Sequence, residues 1–311
     1  MSSYLNSEDK IIEVYNLVKS YKDVKAVDDI SFYVKRGDLF AFLGPNGAGK
    51  STTVDVICTF LKQDSGSAII NGKKLGADDH AIHSDIGVVF QEGILDVLLT
   101  VRENLKFRGE MYGLKGKKLD DAVKRVEKLT GLSDFLDRQY GKLSGGQKRR
   151  ADIARALIHE PKILFLDEPT TGLDPQTRQS IWESIKELQK KTNTTVFFST
   201  HYMEEVLVAN YVVIIDKGKI VANGTPTELK AKYTSDILRL YPVSGSELCE
   251  FLNSINIKYV YAKDRVDVHI ADTFQSLPII EKCKKYLNGF EVLNGTMDDV
   301  FISITGRDIR E

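Results

Sequence analysis

The sequence is poor in the features that would tie it to a bilayer, a metal cluster or a disulfide framework. Its longest apolar runs, such as "YVVII" and "AFL", fall far short of the roughly 20 residues that a spanning helix needs. The opening "MSSYLNSEDK" lacks the apolar core of a signal peptide, so any role at a membrane is expected to run through a partner. Cys58, Cys249 and Cys283 stand far apart and form no C-x-x-C pair. That suits a reducing cytosol and excludes a cysteine-based zinc site. Neither charge dominates: 43 basic side chains face 44 acidic ones, a net charge of −1. A nucleic-acid binder usually carries a basic surplus, so no nucleic-acid partner is expected. What remains is ordinary for a soluble globular chain, with 42% hydrophobic and 28% charged residues. Its 311 residues suffice for one large domain and a small one.

Along the chain, residues 10–37 read as short strands with a turn at "KRGD". "DLFAFLG" is an apolar strand running straight into glycines, and residues 49–61 read as a helix. "SAIINGKK" and "IGVVFQ" look like strands joined by a polar loop. Residues 100–140 turn helical, with a capping-box pattern at Thr100 to Glu103 and Leu119, Val123, Val126 and Leu129 at helical spacing. "KILFLDE", "TTVFFST" and "YVVIID" follow, separated by a helix at 175–191. Continuous apolar strands alternating with helices predict a parallel sheet covered on both faces, an α/β fold. "KGKIVANGTP" reads as a hairpin, and the helix "PTELKAKY" is expected to close the first domain, at residues 1–234. Residues 235–311 restart in the order βαββαβ, which predicts a small α+β domain, ferredoxin-like or ACT-like.

The segment Gly44, Pro45, Asn46, Gly47, Ala48, Gly49, Lys50, Ser51 fits G-x-x-x-x-G-K-[ST] in full, with Thr52 continuing into the helix. It follows a predicted strand and opens a predicted helix, the context this phosphate-binding loop requires. Its glycines let backbone N–H groups wrap phosphates, Lys50 reaches the β- and γ-phosphates, and the Ser51 hydroxyl binds Mg²⁺. Such a loop needs a carboxylate at the end of a neighbouring buried strand, and "ILFLDEP" supplies two. Asp167 is expected to hold Mg²⁺, directly or through water. Glu168, one residue on, is expected to leave the extended backbone on the opposite side and to polarise the attacking water. Pro169 should keep Glu168 extended.

Ser144-Gly145-Gly146-Gln147 looks like a helix N-terminus prepared for an anion, although a phosphate cradle already exists near residue 50. Together the phosphate loop, "LSGGQ" at 143–147, "LDEPTTGLD" at 166–174 and "STH" at 199–201 stand in the order of an ABC-type nucleotide-binding domain, and the chain resembles that family over about residues 10–230. The resemblance implies a P-loop ATPase fold with a helical subdomain at about 95–160, with ATP and Mg²⁺ as ligands. It implies a head-to-tail dimer of two copies, in which Ser144 and the amides of Gly145 and Gly146 cap ATP held by the partner's phosphate loop, with Gln147 completing the motif. By the same resemblance Gln91 touches Mg²⁺ and the attacking water, and His201 contacts the γ-phosphate. Asp174 links the two sites; an ordinary N-cap before Pro175 is the alternative, and the two readings are compatible. Tyr21 stacks on adenine; Tyr15 and a plain core aromatic are the alternatives.

"IGVVFQEGILDVLLTVRENLKFRGEMYGL", "STHYMEEV" and the C-terminal "TMDDVFISITGRDI" resemble exporters of the daunorubicin-resistance type, in which the ATP-binding chain is separate from its membrane protein. Many of that group have tyrosine and methionine at the ends of the signature pentapeptide; Leu143 and Gln147 here are the general ABC form. The resemblance implies an ATP-hydrolysing subunit at the cytoplasmic face of the membrane, driving a separate permease. A helix of that permease would enter a groove formed by about residues 91–113. A soluble ABC ATPase serving translation, nucleic acid or cofactor assembly is the alternative, but the chain has no coiled-coil insert, second ATPase domain or basic tail of the kind such proteins carry. The C-terminal domain is expected to serve stability and partner contact.

Overall fold

The computed structural model describes residues 9–307, which divide into two compact units at Thr225/Pro226.

The first unit contains, in chain order, β1 (Lys10–Tyr21), β2 (Val24–Lys35), β3 (Leu39–Leu43), α1 (Lys50–Ile57), β4 (Ser65–Ile70), β5 (Lys73–Lys74), α2 (Asp79–Asp85) and β6 (Ile86–Val89). Then come α3 (Val101–Met111), α4 (Gly116–Thr130), α5 (Gly145–Leu157), β7 (Ile163–Asp167), α6 (Pro175–Thr192), β8 (Thr195–Thr200), α7 (Met203–Val206), β9 (Tyr211–Asp216) and β10 (Lys219–Gly224). Two sheets form. One is antiparallel, in the order β2-β1-β4-β5; the other has six strands in the order β10-β9-β3-β8-β7-β6. In the larger sheet β9, β3, β8, β7 and β6 are mutually parallel and only β10 is antiparallel. Every residue of β3, β6 and β8 is buried, as a sheet covered on both faces demands. Phe40 and Phe197 stack at 5.1 Å between ring centroids in a shared aromatic core with Phe32, Phe42 and Phe165. Burying each such ring contributes roughly 2–3 kcal/mol.

The helices obey their local signals. Thr100 and Glu103 make the reciprocal capping box that opens α3. In α4, Leu119, Ala122, Val123 and Val126 form the buried stripe, and Gly131 ends the helix at φ 64°. The 75–85 segment differs from expectation: instead of a polar loop it holds α2. Only Ile82 of that helix is buried, so no helical period shows in the sequence; Asp78 and Asp79 hold its start by accepting from the amides of Lys74 and Gly76.

The second unit comprises α8 (Pro226–Tyr233), β11 (Asp236–Pro242), α9 (Gly245–Ser254), β12 (Val260–Ala262), β13 (Arg265–Ile270), α10 (Ser276–Cys283), β14 (Leu287–Leu293) and α11 (Met297–Thr305). Its sheet runs β12-β13-β11-β14 with every neighbouring pair antiparallel, the strand order of a split βαβ unit. Leu238, Leu240, Val266, Val268 and Ile270 face Leu248, Leu252 and Cys283 in its own core. The helix α8, expected to close the first domain, groups here instead. It packs against α11, so a boundary at residue 234 would separate Leu229 from a partner helix that buries Met297, Val300 and Phe301.

Candidate functional site

Parallel strands bring their carboxyl ends to one edge, and loops leaving that edge meet there. In this sheet Leu43, at the end of β3, lies opposite Thr200; Ser199 lies opposite Asp167; and Leu166 lies opposite Val89. The loop after β3, the turn after β7, the end of β8 and the segment after β6 therefore converge. They line a cavity of about 570 Å³ walled by Tyr21, Asn46, Gly47, Gly49, Lys50, Ser51, Thr52, Gln91, Glu168, Thr171 and His201.

Two positions of the loop Gly44–Gly49 leave no room for a side chain. Gly49 has φ 105° and a Cβ there would sit 2.2 Å from the Ala26 carbonyl oxygen; at Gly44 it would sit 2.4 Å from that of Ile215. Gly47 has φ 78° with open space around it. Pro45 and Ala48 are buried beneath the loop, and Gly49 is the N-cap of α1, offering no side-chain acceptor to the first-turn amides. Those amides suit an anion. Lys50, only 4% exposed, donates to the carbonyls of Gly44 (2.8 Å) and Pro45 (3.1 Å), and its ammonium lies 3.2 Å from Glu168 Oε1.

The two carboxylates depart from expectation. Glu168 is not extended: it has φ 43°, in the left-handed region. The preference that a following proline imposes is overridden because several bonds hold the residue. Its amide donates to Ser199 Oγ at 3.0 Å, and its carboxylate accepts from Thr171 Oγ1 at 3.0 Å while facing Lys50. A strained residue of this kind costs about 1–3 kcal/mol and persists only when its surroundings over-determine it. As a result Glu168 does not turn away from Asp167. Both reach the start of α1, Glu168 at Lys50 and Asp167 at Ser51, whose hydroxyl lies 3.4 Å from Asp167 Oδ1. Ser199 also donates to Asp167 Oδ1 at 2.5 Å, so one buried serine fixes both acids.

Burial pushes the Glu168 carboxyl up, but Lys50 and then His201 outweigh it and leave it below the usual carboxylate range. Burial pushes Lys50 down, and Glu168 only partly restores it. His201 Nδ1 stands 3.3 Å from Glu168 Oε2, close enough for an ion pair but off hydrogen-bond geometry. Tyr21 is 49% exposed on the cavity wall and is therefore not a core aromatic. Tyr15 lies outside this cavity, its hydroxyl donating to Glu13.

Ser144, Gly145, Gly146, Gln147 and Asp174 are not brought to this cavity. Ser144 caps α5 reciprocally with Gln147: its hydroxyl accepts from the Gln147 amide, and the Gln147 side-chain oxygen accepts from the Ser144 amide at 3.1 Å. The glycines serve packing within the chain as well as access. A Cβ on Gly146 would lie 2.5 Å from Thr177 Cγ2, and one on Gly145 would lie 3.1 Å from Leu173. Asp174 caps α6, accepting from the Thr177 amide at 2.9 Å and its hydroxyl at 2.6 Å, with Pro175 in the first turn.

Sequence reasoning missed Ser199, Thr171, Glu205 and Arg149. Glu205 is buried and accepts from Thr170 and Thr200, tying the turn after β7 to the end of β8. Arg149 is buried behind the same turn. For Ser199, Glu205 and Arg149 the signal available was a polar residue at an apolar helical or strand position, which has meaning only once the neighbours are known; Thr171 lies in the turn after β7 and gave no such signal.

A family model described as ABC transporter matches residues 27–171. The linearmycin resistance ATP-binding protein of Bacillus subtilis is 33% identical over 312 residues, spanning 97% of this chain and 100% of that protein. The daunorubicin/doxorubicin resistance ATP-binding protein of Streptomyces peucetius is 33% identical over 307 residues, 96% of this chain and 93% of that one. Among solved structures, cbiO1 of Clostridium perfringens, part of the ABC transporter complex cbiONQ, superposes with a TM-score of 0.68 at 32% identity, over 72% of this chain and 92% of its own. A dimeric ATP-binding cassette in a post-hydrolysis state with ADP and Pi superposes with a TM-score of 0.63 at 28% identity, over 69% of this chain and 98% of its own. Relatedness along nearly the whole chain accounts for the phosphate loop, its paired acids and their common cleft: the chain belongs to the ATP-binding proteins of ABC transporters and is an ATPase.

Proposed function

We propose that the cavity beside Lys50 holds ATP and that Glu168 is the general base of its hydrolysis. The observation that carries this is the meeting of Lys50, Ser51, Asp167, Glu168, Gln91 and His201 at one sheet edge. Amides of Asn46, Gly47 and Gly49–Thr52 face the phosphates, Lys50 neutralises them, Tyr21 offers a face to the base, and His201 donates to the γ-phosphate. The hydroxyl of Ser51, the carboxylate of Asp167 and the amide oxygen of Gln91 are hard oxygen donors, which suits Mg²⁺ shared with a polyphosphate. When bound there, Mg²⁺ offsets charge developing on the phosphates. In the protein alone Lys50 occupies Glu168 and keeps its carboxyl weakly basic. Phosphates compete for that ammonium. As Lys50 turns to them, the burial of Glu168 raises its basicity toward that of an effective base.

The position of Ser144 outside the cavity supports a two-copy arrangement, head-to-tail, in which Ser144, Gly145, Gly146 and Gln147 of one copy close the site of the other and Asp174 lies between the sites. Helix N-terminus and polyanion are complementary in charge. Among the described residues no helix is long and apolar enough to cross a membrane. We assign the transmembrane path to a separate permease, with this chain peripheral at the cytoplasmic face. Its docking groove is a cavity of about 380 Å³ bordered by Phe60, Phe90, Ile94, Arg108, Met111 and Tyr112. Relatives named for resistance to linearmycin and to daunorubicin/doxorubicin favour export of antibiotic-like compounds.

Glu168→Gln keeps the shape and removes the base. It should bind ATP, dimerise with it and lose turnover by about 100-fold or more. Hydrolysis at the wild-type rate would remove Glu168 from the mechanism. Isolation of the chain from detergent-solubilised membranes should recover a permease; ribosomal material without one would favour the alternative of a non-transport ATPase.

A further inference from the structure

Helix α5 carries Arg149, Asp152 and Arg155 at three-residue spacing, and all three are buried, at 6%, 3% and 4% exposure. A buried charge is costly unless its donors and acceptors are matched. Asp152 accepts from the Tyr140 hydroxyl at 2.9 Å, and Arg155 donates to the Val88 carbonyl at 2.5 Å. Arg149 does more. Its Nε donates to the Pro169 carbonyl at 2.5 Å, its Nη1 to that of Phe90 at 2.5 Å, and its Nη2 to that of Asp167 at 3.0 Å.

Those three carbonyls are informative. Two of them flank Glu168, and the third directly precedes Gln91. A guanidinium is a rigid planar fork, so two carbonyls separated by one residue can converge on it only if the residue between them doubles back. Glu168, at φ 43°, does so. We propose that Arg149 is a positioning residue for hydrolysis. It holds the Asp167–Pro169 turn so that Glu168 faces the cleft, and it sets the start of the Gln91 segment on the same atom group. Because Ser144 is the N-cap of α5, the brace makes one rigid piece of the helix that carries the signature motif, the base and the glutamine. This rests on the reading of Glu168 as the base. Arg149 does not line the nucleotide cavity, so its effect belongs to the chemical step and not to ATP affinity.

The test uses the full chain and single and double variants of it. Arg149→Lys keeps the charge but, with a single ammonium and no fork, cannot reproduce three divergent bonds. Its kcat should fall about 10- to 100-fold, the scale of a misplaced catalytic group, with ATP affinity within about threefold of wild type. Arg155→Lys, equally buried but bonded among the described residues to the Val88 carbonyl alone, is the control for burying a lysine in α5 and should keep kcat within about threefold. Combined with Glu168→Gln, Arg149→Lys should lower turnover by a smaller factor than it does alone, because the part of its effect that runs through Glu168 is already lost; full multiplication of the two losses would overturn the brace on Glu168. If Arg149→Lys fails to fold, Arg149→Gln, which retains two N–H donors, is measured in its place. Wild-type kcat in Arg149→Lys while Glu168→Gln is inactive overturns the brace alone. Wild-type turnover in Glu168→Gln overturns the assignment of the base instead. Equal loss of kcat and ATP affinity in Arg149→Lys, or equal loss of kcat in Arg155→Lys, would mean that Arg149 serves only stability.

Discussion

At the scale of single residues, identity was legible and conformation was not. The spacing Gly44–Ser51 locates the phosphate loop in part because Gly47 and Gly49 sit at positive φ, which glycine tolerates, and that constraint is local. Glycine nonetheless does two different jobs there. Gly47 has φ 78° in open space, so Gly47→Ala should cost about 1 kcal/mol of strain and leave ATP binding measurable. Gly49 combines φ 105° with a Cβ position 2.2 Å from the Ala26 carbonyl oxygen. Gly49→Ala must push backbone from backbone, and should destabilise by about 3 kcal/mol or more and abolish ATP binding. Urea unfolding and nucleotide titration of the two variants check this; equal effects would mean that the close approach at Gly49 carries no weight. Glu168 shows the limit of local rules. A following proline favours an extended residue, yet Ser199 and Lys50, distant in sequence, together with nearby Thr171, impose the left-handed one.

At the scale of elements, periodicity revealed the strands of the buried sheet and the longer helices, because each buries a stripe of its own. It was silent on α2, which buries one side chain, and on junctions made by polar side chains. His159 is such a junction. It follows α5, its Nε2 lies 3.0 Å from the Ile86 carbonyl at the start of β6, and its ring stacks on Tyr112 after α3 with centroids 3.9 Å apart. The bond to a carbonyl puts the proton on Nε2, and Nδ1 is buried without a partner among the described residues. A second proton would be a buried unpaired cation, so burial pushes the histidine down from 6.5 to about 4. The sign follows. Above about pH 6.5 both folded and unfolded chains hold a neutral imidazole and the shift contributes nothing. Below that the unfolded chain takes up the proton first, and stability falls by an amount growing to on the order of 3 kcal/mol near pH 4. His159→Gln should unfold with a shallower loss of stability between pH 6.5 and 4.5 than wild type. Parallel curves would refute the assignment.

At the scale of the whole molecule, the two units and the need for a second copy are the issues. Residues 226–307, which include α8, should unfold cooperatively as an isolated fragment, and a fragment beginning at 235 should be less stable because α11 loses the helix it packs against. Calorimetry on the two fragments decides it; equal midpoints would return α8 to the first unit. Ser144→Arg places a long cation at the exposed cap of α5. It should abolish ATP-driven dimerisation while ATP binding at Lys50 stays within about threefold, since the residue is absent from the cavity wall. A monomer that loses ATP equally would exclude the two-copy site. By itself the sequence determined the phosphate loop, the strand–helix alternation and the family, because these depend on backbone angles and on periods carried by neighbouring residues. Only the tertiary structure decided that Glu168 turns back toward Lys50, that Arg149 lies behind it and that α8 belongs with α11. Each of those depends on hydrogen bonds and burial supplied by residues far away in the chain, whose proximity no local pattern encodes.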